Sequence, residues 1–137
     1  MNTLYTPTET SHWMLVDDNS EILSLLAALA GSLTDAEVEC FNSPQSALSA
    51  FAAAPEKYAV VITDYEMPGM DGVELCRRML AISPAQKIFL ATGSGFFTEA
   101  AARHAGFSGL LNKPFPLEAL RAALAGAGVE MALPAYA

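Results

Sequence analysis

The run YAVVI at 58–62 constrains the fold of this chain more than any other stretch. It is unbroken in apolar side chains and rich in β-branched ones. A strand with one wet face alternates apolar and polar residues, whereas a strand covered on both faces reads as a continuous apolar run. The run therefore predicts an inner strand of a sheet with helices on each side. Four more short apolar runs stand at 13–16, 38–41, 87–91 and 109–111. The segments between them have helical spacing. Ile22, Leu25, Leu26 and Leu29 recur at i, i+3, i+4 and i+7 in a helix over 20–30, with Gly31 as its stop. Pro44 opens a second helix. Asp71 caps a third that runs to 80 and ends before Ser83-Pro84. A fourth spans 97–105 and closes at Gly106. Pro116 opens a fifth that carries Leu117, Leu120 and Leu124. Five strands alternating with five helices imply an α/β fold with a parallel sheet wrapped on both sides.

At 137 residues the chain is sized for one domain. The reading assigns 1–11 to a flexible N-terminal arm, 12–127 to the domain and 128–137 to a C-terminal tail. No apolar run approaches the length of a spanning helix. Residues 1–11 lack both Lys/Arg and an apolar stretch, so no secretory signal is expected and a cytoplasmic location is. A net charge of −8 repels phosphate backbones, so neither nucleic acid nor membrane is an expected partner. Cys40 and Cys76 match no zinc spacing and read as buried, inert thiols. His12 and His104 read as surface residues. No Gly-rich loop follows the first strand, which disfavours a dinucleotide.

In such sheets ligands collect at the carboxyl ends of the strands. There the sequence places Asp17-Asp18 after the first strand, Asp64 after the third, Thr92 after the fourth and Lys113 after the fifth. Two unit charges 4 Å apart repel by roughly 4 kcal/mol at an effective dielectric near 20. Three carboxylates in one cleft therefore need compensation. Lys113 supplies part of it, and a hard divalent cation with oxygen ligands, Mg2+, would supply the remainder. A metal, a lysine and a hydroxyl around a spare carboxylate suit phosphoryl transfer, with the carboxylate as nucleophile.

The segments VDDN (16–19), TDYEMPGMDG (63–72), ATGS (91–94) and NKPF (112–115) stand in that order. With them the chain resembles the receiver domain of bacterial two-component response regulators over 12–127. The resemblance implies a flavodoxin-like five-stranded parallel sheet in order 2-1-3-4-5 with five helices. It implies that Asp64 accepts a phosphoryl group from a sensor histidine kinase or a histidine phosphotransfer protein. Asp18, Asp64 and the backbone carbonyl of Glu66 would bind Mg2+ directly, and Asp17 through water. Lys113, before a cis bond to Pro114, and Thr92 would contact the phosphoryl oxygens. The output would be an interaction with a downstream protein, the phosphoaspartate decaying slowly without true enzymatic turnover. Residues 128–137 leave no room for an output domain, so a stand-alone receiver is expected. The competing readings are a scaffold that is never phosphorylated and a phosphatase with an aspartyl intermediate, whose Asp-x-Asp signature the adjacent Asp17-Asp18 does not match.

The chain departs from the family pattern at two positions. Leu110 occupies the switch position, three before the lysine, where an aromatic is usual, and leucine lacks the polar tip that lets a ring settle in wet and buried states alike. The glycines at 93 and 95 point instead to switching by ordering of the loop after Thr92. Glu66 replaces a small polar residue, and its carboxylate is expected to tune the phosphoaspartate lifetime. On the first helix, Leu23, Ala27 and Ala30 form a second apolar strip about 100° round from the first. That strip reads either as a broadened core stripe or as a docking surface, and the resemblance favours docking of a phosphotransfer partner there.

Overall fold

The computed structural model describes residues 12–131. The expected arm at 1–11 and residues 132–137 of the expected tail lie outside them. Strands β1 (His12–Val16), β2 (Glu37–Phe41), β3 (Tyr58–Asp64), β4 (Ile88–Thr92) and β5 (Gly109–Asn112) form one parallel sheet in order β2-β1-β3-β4-β5. Helices α1 (Ser20–Gly31), α2 (Pro44–Ala53), α3 (Gly72–Ile82), α4 (Glu99–His104) and α5 (Leu117–Gly126) alternate with them. This is the fold the spacing and the resemblance predict. β3 is the central strand, with β1 and β4 as neighbours. Val60, Val61 and Ile62 are fully buried, which explains their unbroken apolar run.

The sheet divides two cores. On one face Met14, Val16, Val61 and Leu90 meet Phe51 of α2, Leu75 and Met79 of α3 and Ala102 of α4. On the other, Trp13, Leu15, Val60, Ile62 and Phe89 meet α1 and α5 through Leu26, Ala30, Leu120 and Leu124. Polar caps set the helix starts: Asn19 Oδ1 accepts from the backbone of Glu21 and Ile22, and Asp71 Oδ1 from Glu74. Thr98 caps α4 by accepting from Ala101, so the helix begins at Glu99 and leaves Phe97, its expected start, in the preceding loop. A short 3-10 turn at Pro55–Lys57 leads into β3. Val129 and Met131, beyond α5, pack against the second core. Among the described residues no helix is long and apolar enough to cross a membrane.

The inward face of α1 is rotated by about 100° from the one its larger side chains predict. Leu23, Leu26 and Ala30 are buried and Ala27 packs beside them, while Leu25 is 67% exposed. Leu23, Ala27 and Ala30 are therefore core and not a docking surface. The two stripes, 22-25-26-29 and 23-26-27-30, have identical spacing and share Leu26. Alanines at 27 and 30 let the helix axis approach the sheet, and Leu33, 1% exposed, continues the inward stripe past the helix end.

Cys40 is exposed, contrary to its expected burial, because β2 is an edge strand; Cys76 is buried as expected. His12 is half-buried rather than on the surface, with Nε2 3.6 Å from Glu39 and its ring edge-to-face with Tyr58. Phe96 is 78% exposed and anchors nothing, whereas Phe97 packs on Tyr65.

Leu23→Ala is expected to destabilise the chain by about 2–4 kcal/mol through loss of buried contacts. Leu25→Ala is expected to change stability by less than about 0.5 kcal/mol. Urea unfolding of the two variants checks the assignment.

Candidate functional site

Four strand ends bring the chemistry to one rim. Asp17 and Asp18 follow β1, Asp64 closes β3, Thr92 closes β4 and Lys113 follows β5. Together with Glu66 they line an open cleft of about 690 Å3. Carboxylate oxygens of Asp17, Asp18 and Asp64 lie within 4.8 Å of one another. The Lys113 ammonium donates to Asp17 Oδ2 at 2.8 Å and to Asp64 Oδ1 at 3.1 Å. The Lys113–Pro114 peptide is cis. Asp17 is nearly buried at 2% exposure, and its Oδ1 accepts from the Asn19 backbone at 2.9 Å. Asp18 is exposed at the mouth.

Three carboxylates against one ammonium leave a surplus of negative charge. Burial pushes the Asp64 carboxyl above its ordinary range, and the Asp17 charge adds to this against the hydrogen bond from Lys113. Burial alone would pull the Lys113 ammonium down. Its hydrogen bonds to Asp17 and Asp64, and their charges, outweigh this and hold it above the usual lysine value. Close-set, all-oxygen donors with surplus negative charge are the donor chemistry that fits a hard cation such as Mg2+.

The loop after Asp64 is fixed from below. Gly72 donates its N–H to the Tyr65 carbonyl at 2.8 Å, and a Cβ at 72 would overlap the backbone carbonyl oxygen of Asp64. Only glycine lets the first turn of α3 lie that close. Met67 and Met70 bury their side chains beneath the loop, while Glu66 stays exposed at the cleft. The Tyr65 and Phe97 rings meet edge-to-face at 5.0 Å, tying this loop to the one after β4.

Thr92 is buried, and its hydroxyl lies 3.1 Å from that of Ser94. Ser94 also donates its N–H to Thr92 Oγ1 at 3.3 Å and accepts from Phe96 N–H at 3.2 Å. Ser94 has no assigned role in the sequence reading; its position two residues past a strand-end threonine, between glycines, is the signal that marks it. Leu110 lies half-buried against the core facing α2, α3 and α4 and does not line the cleft. Leu23, Ala27 and Ala30 lie apart from the cleft as well.

Residues 14–125 match the family described as the response regulator receiver domain. The chain is 33% identical over 107 residues to the C4-dicarboxylate transport transcriptional regulatory protein DctD of Rhizobium meliloti, covering 77% of this chain and 23% of that protein. It is 32% identical over 121 residues to the transcriptional regulatory protein FixJ of Bradyrhizobium diazoefficiens, covering 88% and 58% respectively. A response regulator receiver domain protein from Clostridium thermocellum superposes with a TM-score of 0.78 at 28% identity, over 85% of this chain and 93% of that one. The chain belongs to the receiver-domain family of two-component response regulators. It spans less than two thirds of the length of both curated relatives.

A carboxyl held above its ordinary range keeps its proton more readily in the folded chain than in the unfolded one. Ionising Asp64 therefore costs stability above its folded value, and the cost disappears below the ordinary value near 4. Asp64→Asn is expected to melt a few degrees above wild type at pH 7, in low salt with chelator. The gap should close as the pH falls to about 4, as followed by thermal unfolding across pH.

Proposed function

We propose that Asp64 of this receiver accepts a phosphoryl group from the phosphohistidine of a sensor histidine kinase or a histidine phosphotransfer protein. The observation that carries this reading is the Lys113 ammonium shared between Asp17 and Asp64 in a cleft of three converging carboxylates. An Asp64 carboxylate oxygen attacks phosphorus in line. The P–N bond breaks as the new O–P bond forms, and the imidazole nitrogen leaves with the bonding pair and takes a proton from solvent. Lys113 is placed to neutralise the phosphoryl oxygens, and Thr92 stands on the rim as a hydroxyl donor to them. Asp18, Asp64 and the Glu66 backbone carbonyl would hold Mg2+, with Asp17 acting through water. The ion, when bound, offsets the charge of the carboxylates and of the incoming phosphoryl group. The phosphoryl group stays on the protein as a signal to a downstream partner, so the chain is a phosphoacceptor with slow self-dephosphorylation and not a turnover enzyme.

The partner's approach has a physical track. An apolar groove of about 250 Å3, lined by Ile22, Leu25 and Leu29 of α1 with Pro114 and Phe115, adjoins the cleft and shares Ile22 and Lys113 with it. A helix seated there would lie beside Asp64. The groove centred on exposed Leu25, and not Leu23, Ala27 and Ala30, is the docking face we propose.

Incubation with Mg2+ and acetyl phosphate is expected to add one phosphoryl group to the intact mass, and Asp64→Ala to abolish the gain. An unchanged wild-type mass would refute the phosphoacceptor reading, and steady hydrolysis of small phosphate esters would favour the phosphatase. Leu25→Glu is expected to slow transfer from a phosphorylated histidine phosphotransfer protein by about tenfold while leaving the acetyl phosphate reaction unchanged. Rapid-quench kinetics with the two donors separate docking from chemistry.

A further inference from the structure

Thr63 is fully buried in β3, one residue before Asp64. Side chains alternate along a strand, so Thr63 shares the face of Val61, inside the apolar core toward α2, α3 and α4. A buried hydroxyl without a partner is destabilising, and valine would fill the same volume without that cost. Packing alone therefore favours valine after Val60, Val61 and Ile62. The hydroxyl has a use: Thr63 Oγ1 donates to the backbone carbonyl of Asp64 at 2.9 Å. This is the same carbonyl oxygen that the close approach of Gly72 leaves no room to move toward α3. The next carbonyl, of Tyr65, accepts from the Gly72 N–H.

We propose that Thr63 is a positioning residue for the acceptor. Its hydroxyl, with the first turn of α3, fixes the peptide plane from which the Asp64 side chain projects. The inference rests on the phosphoacceptor reading. Asp64 needs such a restraint because its carboxylate is pulled toward Lys113 while Asp17 and Asp18 stand within 4.8 Å. A free carboxylate under those forces would shift, and in-line attack tolerates little displacement of the nucleophile.

The test uses the full chain, with acetyl phosphate and Mg2+ as the probe. An Asp64 oxygen attacks phosphorus, the P–O bond to the acetyl group breaks, and acetate leaves. Intact mass is followed over time for wild type, Thr63→Val and Thr63→Ser, with thermal unfolding and the Mg2+-induced rise in Tm measured alongside. Thr63→Val is expected to be phosphorylated about tenfold more slowly, with a Tm within a few degrees of wild type and the Mg2+ response retained. Thr63→Ser, which restores only the hydroxyl, is expected to return the rate to within about twofold of wild type. A purely structural role would follow side-chain volume, leaving valine normal and serine impaired, and that result overturns the proposal. Equal rates for all three overturn it as well. A wild-type chain that gains no mass refutes the phosphoacceptor reading and this inference with it, whereas normal wild-type uptake matched by Thr63→Val refutes the positioning role alone.

Discussion

The site depends on one ammonium held by two carboxylates. Lys113 reaches across the sheet edge from the end of β5 to acids at the ends of β1 and β3. Such a buried ion pair is a weak source of stability, because the desolvation of its members offsets most of their attraction. Its consequence is geometric. It holds Asp17 and Asp64 close together in a cleft where their charges would otherwise drive them apart. The ammonium is also incomplete compensation, since a third acid stands at the mouth. That residual charge suits the cleft to a cation.

The arrangement requires a rigid floor. β3 is buried on both faces, and Asp64 stands at its last position, where the sheet's hydrogen bonding ends. The apolar energy that fixes the strand is spread over two cores and lies away from the charges. A destabilised polar site is thus carried by packing elsewhere in the domain, the usual arrangement when a site's chemistry opposes its own folding. Gly72 and Thr63 are the local expression of the same requirement, one by the lack of a side chain and the other by a buried hydroxyl.

The parts legible in the sequence are those that a period or a strand end determines. The run at 58–62 has only one satisfactory environment, and the rim follows once parallel strands are accepted, whereas the strand order is implied only by the family resemblance. Asp17, Asp18, Asp64, Thr92 and Lys113 could be placed on that rim because strand ends in this topology share one edge. The faces of α1 could not be separated by period, since two stripes of equal spacing overlap at Leu26; the decisive signal was Leu33, beyond the helix, together with the small size of Ala27 and Ala30. The exposure of Cys40 depends on β2 lying at the edge, a property of the sheet and not of the local residues. The roles of Thr63 and Ser94 depend on the direction of single hydroxyls, which composition and spacing do not encode.

Leucine at position 110 gives these hydroxyls added weight. Its side chain packs half-buried against the core and offers no polar atom that a change in the cleft would attract. The polar connection from the cleft to the surface runs instead along the loop after β4, from Thr92 to Ser94 to the backbone of Phe96. A hydroxyl has one proton and two lone pairs. When Ser94 donates both its N–H and its O–H to Thr92, the lone pairs of Thr92 are filled and its own proton is free for an acceptor in the cleft. An oxygen arriving there would draw that proton without breaking either bond to Ser94. Thr92, Ser94 and the backbone N–H of Phe96 thus form one hydrogen-bonded chain from the wall of the cleft to the exposed loop, in which Gly95 takes a positive φ of 72°.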